Sequence, residues 1–199
     1  LVVPDHALRC CRAALDMLAA LPDLHTRWRA RGWPLLEIGI GIDTGDAVVG
    51  NFGSSRRFGY TAMGDHVNLA SRLEGLNKLY GTHLLVSETT RRALGEEFVC
   101  RELDRVRVKG KTQPVAIHEL LGRRADDHDG AWRRLAEGFA GALAAYRARA
   151  FEDAAARLER MAVERAGDGP AALYLERCRV LRATPPGGEW DGVFEATMK

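Results

Sequence analysis

The chain has little of what would mark several large protein classes. Its four cysteines in 199 residues, Cys10, Cys11, Cys100 and Cys178, form no CxxC pair and no regular framework. The vicinal Cys10 and Cys11 could bridge only with unusual strain, so a disulfide scaffold is excluded and a reducing compartment fits. A surplus of one charge is missing too: 29 basic against 27 acidic side chains leave a formal +2, no field to gather nucleic acid or an anionic membrane. Long hydrophobic runs are absent; the apolar stretch at 13–21 is interrupted by Asp16 and falls far short of the roughly 20 residues of a membrane helix. Leu1-Val2-Val3-Pro4 lacks the charged start and apolar core of a signal peptide, and a first residue other than Met leads us to expect a longer parent chain. What is present, 46% hydrophobic and 28% charged residues, is material for one or two globular domains.

From Asp5 to about residue 30, Ala7, Leu8, Cys11, Leu15, Leu18 and Leu21 recur at three- and four-residue spacings. This predicts a helix burying one face, with Pro22 kinking or breaking it. Pro34 imposes an extended entry into residues 37–42, where isoleucine alternates with small residues, a strand open to close approach on one side. Asp43-Thr44-Gly45-Asp46 supplies turn residues before a second strand at 47–52, and the two are expected to pair as a hairpin. Residues 53–57 read as a polar loop. Asp65 is placed to cap a helix over 66–80 that Gly81 stops. A short buried strand at 84–86, a helix from Ser87 through Leu94 and strand-like runs at 98–103, 106–109 and 115–120 follow. Alternating element types predict an α/β or α+β fold.

The charged segment 123–131 reads as a linker between a first unit, 1–122, and a second, 132–199. The second is alanine-rich and helical from Trp132 to Leu181, with Asp168-Gly169-Pro170 separating helices and Pro185-Pro186-Gly187-Gly188 ending them. Phe139, Ala142, Tyr146, Ala155, Ala162 and Pro170 fit the small and aromatic positions of a tetratricopeptide repeat, and a plain helical hairpin gives the same pattern. A solenoid needs about three repeats to bury its own core, so this tail is expected to dock on something else.

Two nucleotide-binding motifs fail. In Gly39-Ile40-Gly41-Ile42-Asp43-Thr44-Gly45 the third glycine falls one place late for a dinucleotide loop, and Lys109-Gly110-Lys111-Thr112 lacks the upstream glycine of a P-loop. The six histidines are scattered without metal-ligand spacing and read as surface or satisfied core residues. What holds is the run from Tyr60 to Glu74. Asn68 and Arg72 lie one turn apart on one helix face, while Leu69, Leu73, Leu76 and Tyr80 form a separate apolar stripe. An amide beside a guanidinium suits a ribose and a phosphate, since the guanidinium donates paired hydrogen bonds to phosphate oxygens; a solvated helix face has the same spacing.

Gly-Ile-Asp-Thr-Gly, Val-Gly-Asn-Phe-Gly, Arg57, Tyr-Thr and Gly-Asp-His-Val-Asn-Leu-Ala-Ser-Arg-Leu-Glu, in that order from Gly39 to Glu74, resemble class III adenylyl and guanylyl cyclases. Val-Lys-Gly-Lys-Thr-Gln-Pro-Val, within 106–120, resembles the last hairpin of the same catalytic domain. The resemblance implies an α+β, ferredoxin-like nucleotidyl cyclase fold, N-terminally truncated, followed by a small helical TPR-like tail. It implies that Asn68 orients the ribose, Arg72 stabilises charge on the transferring phosphoryl group and Lys109 contacts the terminal phosphates. Thr61 and Ala62 would contact the base, with threonine favouring adenine.

The same resemblance implies ATP as substrate, Mg²⁺ or Mn²⁺ as cofactor, and a second cyclase domain arranged head to tail as partner. The family's two metal-binding aspartates belong to a region ahead of residue 5. Asp43 and Asp46 occupy turn positions and are not expected to replace them, so the chain alone is expected to be inactive. An uncovered sheet edge and apolar face are further expected to make it poorly soluble or partly disordered. The tail resembles the extension of bacterial sensor cyclases, which implies a cytoplasmic location, a membrane anchor in the intact protein, and scope for a protein partner. The competing expectations are a non-catalytic dimerisation or regulatory module and a guanylate cyclase.

Overall fold

The computed structural model describes residues 3–54, 57–108 and 113–196. Six helices, α1 (His6–Ala30), α2 (Asp65–Tyr80), α3 (Glu88–Ala93), α4 (Ala131–Arg147), α5 (Phe151–Glu164) and α6 (Gly169–Ala183), accompany seven strands among these residues. The strands are β1 (Ile40–Ile42), β2 (Val48–Ser54), β3 (Arg57–Met63), β4 (Leu84–Ser87), β5 (Phe98–Val108), β6 (Val115–Arg123) and β7 (Phe194–Ala196). The class is α+β. Five strands form a mixed sheet in the order β1-β4-β6-β5-β7, with β1 and β4 parallel, β5 and β7 parallel, and antiparallel pairs between. β2 and β3 make a separate antiparallel ribbon.

The alternation of side chains along each strand divides the core. Leu84 and Val86 face α1, joining Ala7, Cys11, Ala14, Ile42, Leu94, Phe98 and Leu120. Leu85 faces the other way, into a cluster of Leu69, Leu73, Leu76 and Tyr80 of α2 with Leu103, Val106 and Ile117. That second cluster continues without a break into Phe139, Leu143, Tyr146, Leu158 and Tyr174 of the helices after residue 130. Burial pushes the thiols of Cys11 and Cys100 up to about 12, and the four cysteines are free; thiols held protonated are poor nucleophiles.

Several expectations need correction. Residues 37–42 and 47–52 do not pair with each other: β1 runs parallel to β4 and the hairpin is β2 with β3, from Val48 opposite Met63 to Ser54 opposite Arg57. Pro22 lies inside an unbroken α1. It is exposed, so water can take up the carbonyl bond that its missing amide removes. Asp65 is not the cap of α2; Gly64 holds that position without a side-chain bond, and Asp65 sits in the first turn, where a carboxylate favours the helix dipole. The strand-like run at 98–103 and the described part of the run at 106–109, up to Val108, form one strand, β5, whose register shifts near Val99 and Glu102. Gly81 does stop α2, at φ +66°.

The tail is fixed to the sheet by buried charge. Arg101 on β5, 1% exposed, bonds Asp168 at 2.8 and 2.9 Å and Glu119 at 2.9 Å, with the Phe139 ring 5.0 Å away. Arg177 on α6 bonds the fully buried Asp104 at 2.6 Å, which also accepts the Tyr80 hydroxyl at 2.6 Å. The segment 123–131 contains a 3₁₀ turn at Arg124–Asp126. Its buried Asp127 accepts the Trp132 and Arg133 amides at 3.0 and 3.2 Å.

On the opposite face, His118 is buried with Nε2 2.6 Å from Glu88. Burial holds the imidazole below its usual range against the pull of Glu88, whose own carboxyl is held low by His118 and Arg92 in spite of desolvation. Both groups therefore take up protons more readily when unfolded, so acid favours unfolding. The urea midpoint is expected to fall as pH drops through the ordinary histidine range and onward through the carboxylate range. His118→Asn should flatten the upper part of that slope. An unchanged slope in the variant would refute the assignment.

Candidate active site

The site is organised from Asp43, the residue after β1. Its side chain is 0% exposed and receives the Thr44 amide at 2.9 Å, His66 Nδ1 at 2.7 Å and the Ser87 hydroxyl. Ser87 in turn caps α3, accepting the Thr90 amide at 3.2 Å, and the Thr90 and Thr44 hydroxyls meet at 2.9 Å. One carboxylate thus ties the end of β1 to the first turns of α2 and α3. A buried carboxylate persists only when protein donors replace its water. Gly45 lies against the His66 ring, where a Cβ would stand about 2.1 Å from its atoms.

The body of α2 is pressed onto β1 at Gly41, where a Cβ would meet the Ala70 carbonyl at 2.2 Å. This is the close approach that the alternation of isoleucine and glycine foretold. Asn77, 3% exposed, completes the attachment: Nδ2 donates to the Ile40 carbonyl at 3.0 Å and Oδ1 accepts the Thr82 hydroxyl at 2.9 Å. Leu69, Leu73, Leu76 and Tyr80 are buried at 3, 0, 2 and 0% exposure. Held by this stripe, α2 presents Asn68, exposed, and Arg72, half-buried, one turn apart. Neither side chain has a hydrogen-bond or ion-pair partner among the described residues, whereas Arg101 is paired with two carboxylates and Arg177 with one.

Thr61 and Ala62 lie on β3 opposite Gly50 and Val49. Successive strand residues point to opposite faces, so these two are not brought together on one face; Thr61 is exposed and Ala62 half-buried. Lys109 lies outside the described residues. The ribbon that carries Thr61 also exposes Val49, Phe58 and Tyr60 on one face and Val48 and Met63 on the other, each more than half accessible, apolar surface of the kind that marks an interface. Sequence reasoning placed Asn68, Arg72 and the stripe, but missed His66, Asn77 and the structural work of Asp43. The short interval from His66 to Asn68 was the available signal for the first of these.

The divalent ions that the resemblance implies meet no fitting ligand set: among the described residues no three His, Cys, Asp or Glu side chains converge. Both Asp43 oxygens are taken by protein donors.

Residues 2–121 match the family described as Adenylate and Guanylate cyclase catalytic domain. The chain belongs to this cyclase family. Among curated relatives, the terminal-differentiation-specific adenylate cyclase of Dictyostelium discoideum is 31% identical over 175 residues, covering 86% of this chain and 8% of that protein. Adenylate cyclase 1 of Rhizobium meliloti is 42% identical over 117 residues, covering 59% of this chain and 18% of that protein. The chain thus spans less than a fifth of either relative. Among solved structures, the adenylyl cyclase CyaB from P. aeruginosa superposes with TM-score 0.55 at 33% identity over 63% of each chain. The guanylyl cyclase Cya2 superposes with TM-score 0.54 at 36% identity over 61% of this chain and 60% of that one. In this cyclase domain no described helix is long and apolar enough to cross a membrane.

Proposed function

We propose that this chain supplies the nucleotide-orienting half-site of an adenylate cyclase, which forms 3′,5′-cyclic AMP and pyrophosphate from ATP in signal transduction. The observation that carries the reading is the pair Asn68 and Arg72: adjacent, on one face of a rigidly seated helix, and without partners among the described residues. Arg101 and Arg177 are paired with carboxylates; the half-buried guanidinium of Arg72 is left to meet a ligand. In the proposed site Arg72 gives paired hydrogen bonds to phosphoryl oxygens where negative charge shifts in the transition state, and Asn68 fixes the ribose. Thr61 reads the purine, and Lys109 contacts the terminal phosphates.

A second cyclase domain, arranged head to tail and seated on the exposed apolar ribbon, completes the site and brings the carboxylates that hold Mg²⁺ or Mn²⁺. Bound on the partner's side, such ions would supply charge neutralisation at the triphosphate and would lower the pKa of the 3′-hydroxyl. Adenine as the base rests on Thr61 and on relatives named adenylate cyclase.

The test mixes the purified chain with an intact homologous cyclase domain whose own asparagine and arginine are disabled. Cyclic AMP from ATP, and cyclic GMP from GTP, are then measured with Mn²⁺. Restored cyclic AMP supports the reading; restored cyclic GMP alone reassigns the base. Dimer formation without either product leaves a regulatory module.

A further inference from the structure

The helices after residue 130 carry a concentration of one charge that the cyclase reading does not use. A groove of about 540 Å³ runs between the start of α4 and the end of α5. Arg134, Arg157, Arg160 and Arg165 line it with Glu164 as the one carboxylate, in a chain whose whole formal charge is +2. Arg160 and Arg165 have no hydrogen-bond or ion-pair partner among the described residues. Arg134 gives one Nη1 bond to the Asp129 carbonyl at 2.6 Å, and Arg157 meets Asp153 through Nε at 3.0 Å. The floor is apolar, formed by Leu135 and Met161, with Gly138 adding no side chain between the helices. A helix C-terminus attracts a cation, which accounts for Arg165, and the exposed pair with Asp153 accounts for Arg157. Neither accounts for four guanidinium groups around one groove.

We propose that this groove docks an acidic peptide segment of a partner protein, with carboxylates meeting the arginines and an apolar side chain seated over Leu135 and Met161. Charge complementarity selects this occupant. Guanidinium and carboxylate pair bidentately, and arginine clusters recognise acidic motifs by that geometry. An apolar helix would leave Arg160 and Arg165 without acceptors, and a second copy bringing the same groove would be repelled. No lining residue belongs to the candidate active site, so the proposal stands or falls apart from the cyclase reading.

The probe is a fluorescein-labelled peptide of sequence Asp-Glu-Leu-Glu-Asp-Leu-Glu, compared with its Asn/Gln counterpart by anisotropy on the full chain. The acidic peptide is expected to bind one saturable site at least about tenfold tighter than the neutral one. Binding should weaken as salt rises from about 50 to about 300 mM. Arg160→Glu with Arg165→Glu is expected to lower affinity about tenfold or more with the melting midpoint nearly unchanged, both residues being exposed. Equal binding of the neutral peptide, or full binding by the double variant, overturns the proposal. Tighter binding of a single-stranded oligonucleotide of equal charge overturns it as well, assigning the groove to nucleic acid.

Discussion

Replacing Arg72 by Ala is expected to lower cyclic AMP formation in the complementation assay by about 10²- to 10³-fold, the usual cost of one lost donor aimed at developing charge. The effect should fall on kcat more than on KM, because an interaction that strengthens in the transition state contributes little to ground-state binding. Arg72→Lys keeps the charge but not the planar pair of donors, and should recover only part of the rate. Melting should hardly move in either variant, since Arg72 has no partner among the described residues to lose. That separates a role in chemistry from a role in folding. A loss below about tenfold, or a collapse of thermal stability, would remove Arg72 from the proposed site.

Arg101→Ala is expected to do the reverse, costing about 3–5 kcal/mol of stability, as removal of one partner from a buried ion pair does. The guanidinium is 1% exposed and serves two carboxylates, Asp168 at 3% and Glu119 at 15% side-chain exposure. Its loss strands both beside the Phe139 ring. Asp168 also caps α6, accepting the Ala171 amide at 3.1 Å, so its displacement would loosen that helix too. Against a typical total of about 5–15 kcal/mol, this approaches unfolding. Urea titration measures it, and a loss under about 1 kcal/mol would mean that the pair behaves as a solvent-screened one.

The elements that local physics decides were legible in the sequence. The stripe Leu69, Leu73, Leu76 and Tyr80 named the buried face of α2, and thereby the free face with Asn68 and Arg72. What depends on distant partners was not. Asp43-Thr44-Gly45-Asp46 has the composition of a hairpin turn, yet Asp43 is claimed by His66 and Ser87, far along the chain, so β1 finds β4 instead of β2. Pro22 reads as a breaker because sequence does not say which side of a helix will be wet. Nothing local in the sequence marks Arg101 and Arg177 for burial; their partners Asp168 and Asp104 reach them only when β5 and α6 are brought together. The strand β7 is three residues long and finds its parallel partner only through tertiary packing.

The shared cluster that runs from α2 through β5 into α4, α5 and α6 bears on how this chain could be recombined. The family match ends at residue 121, but the apolar interior does not. A cut there would strip the cover from Leu103, Val106 and Tyr80, part Arg101 from Asp168, and leave β5 as the sheet edge, without its parallel neighbour β7. The last third of the chain is therefore no exchangeable cassette. Heating should melt it together with α2 in one transition, and any sequence grafted in its place must bring a counter-charge for Arg101 and a cation for Asp104.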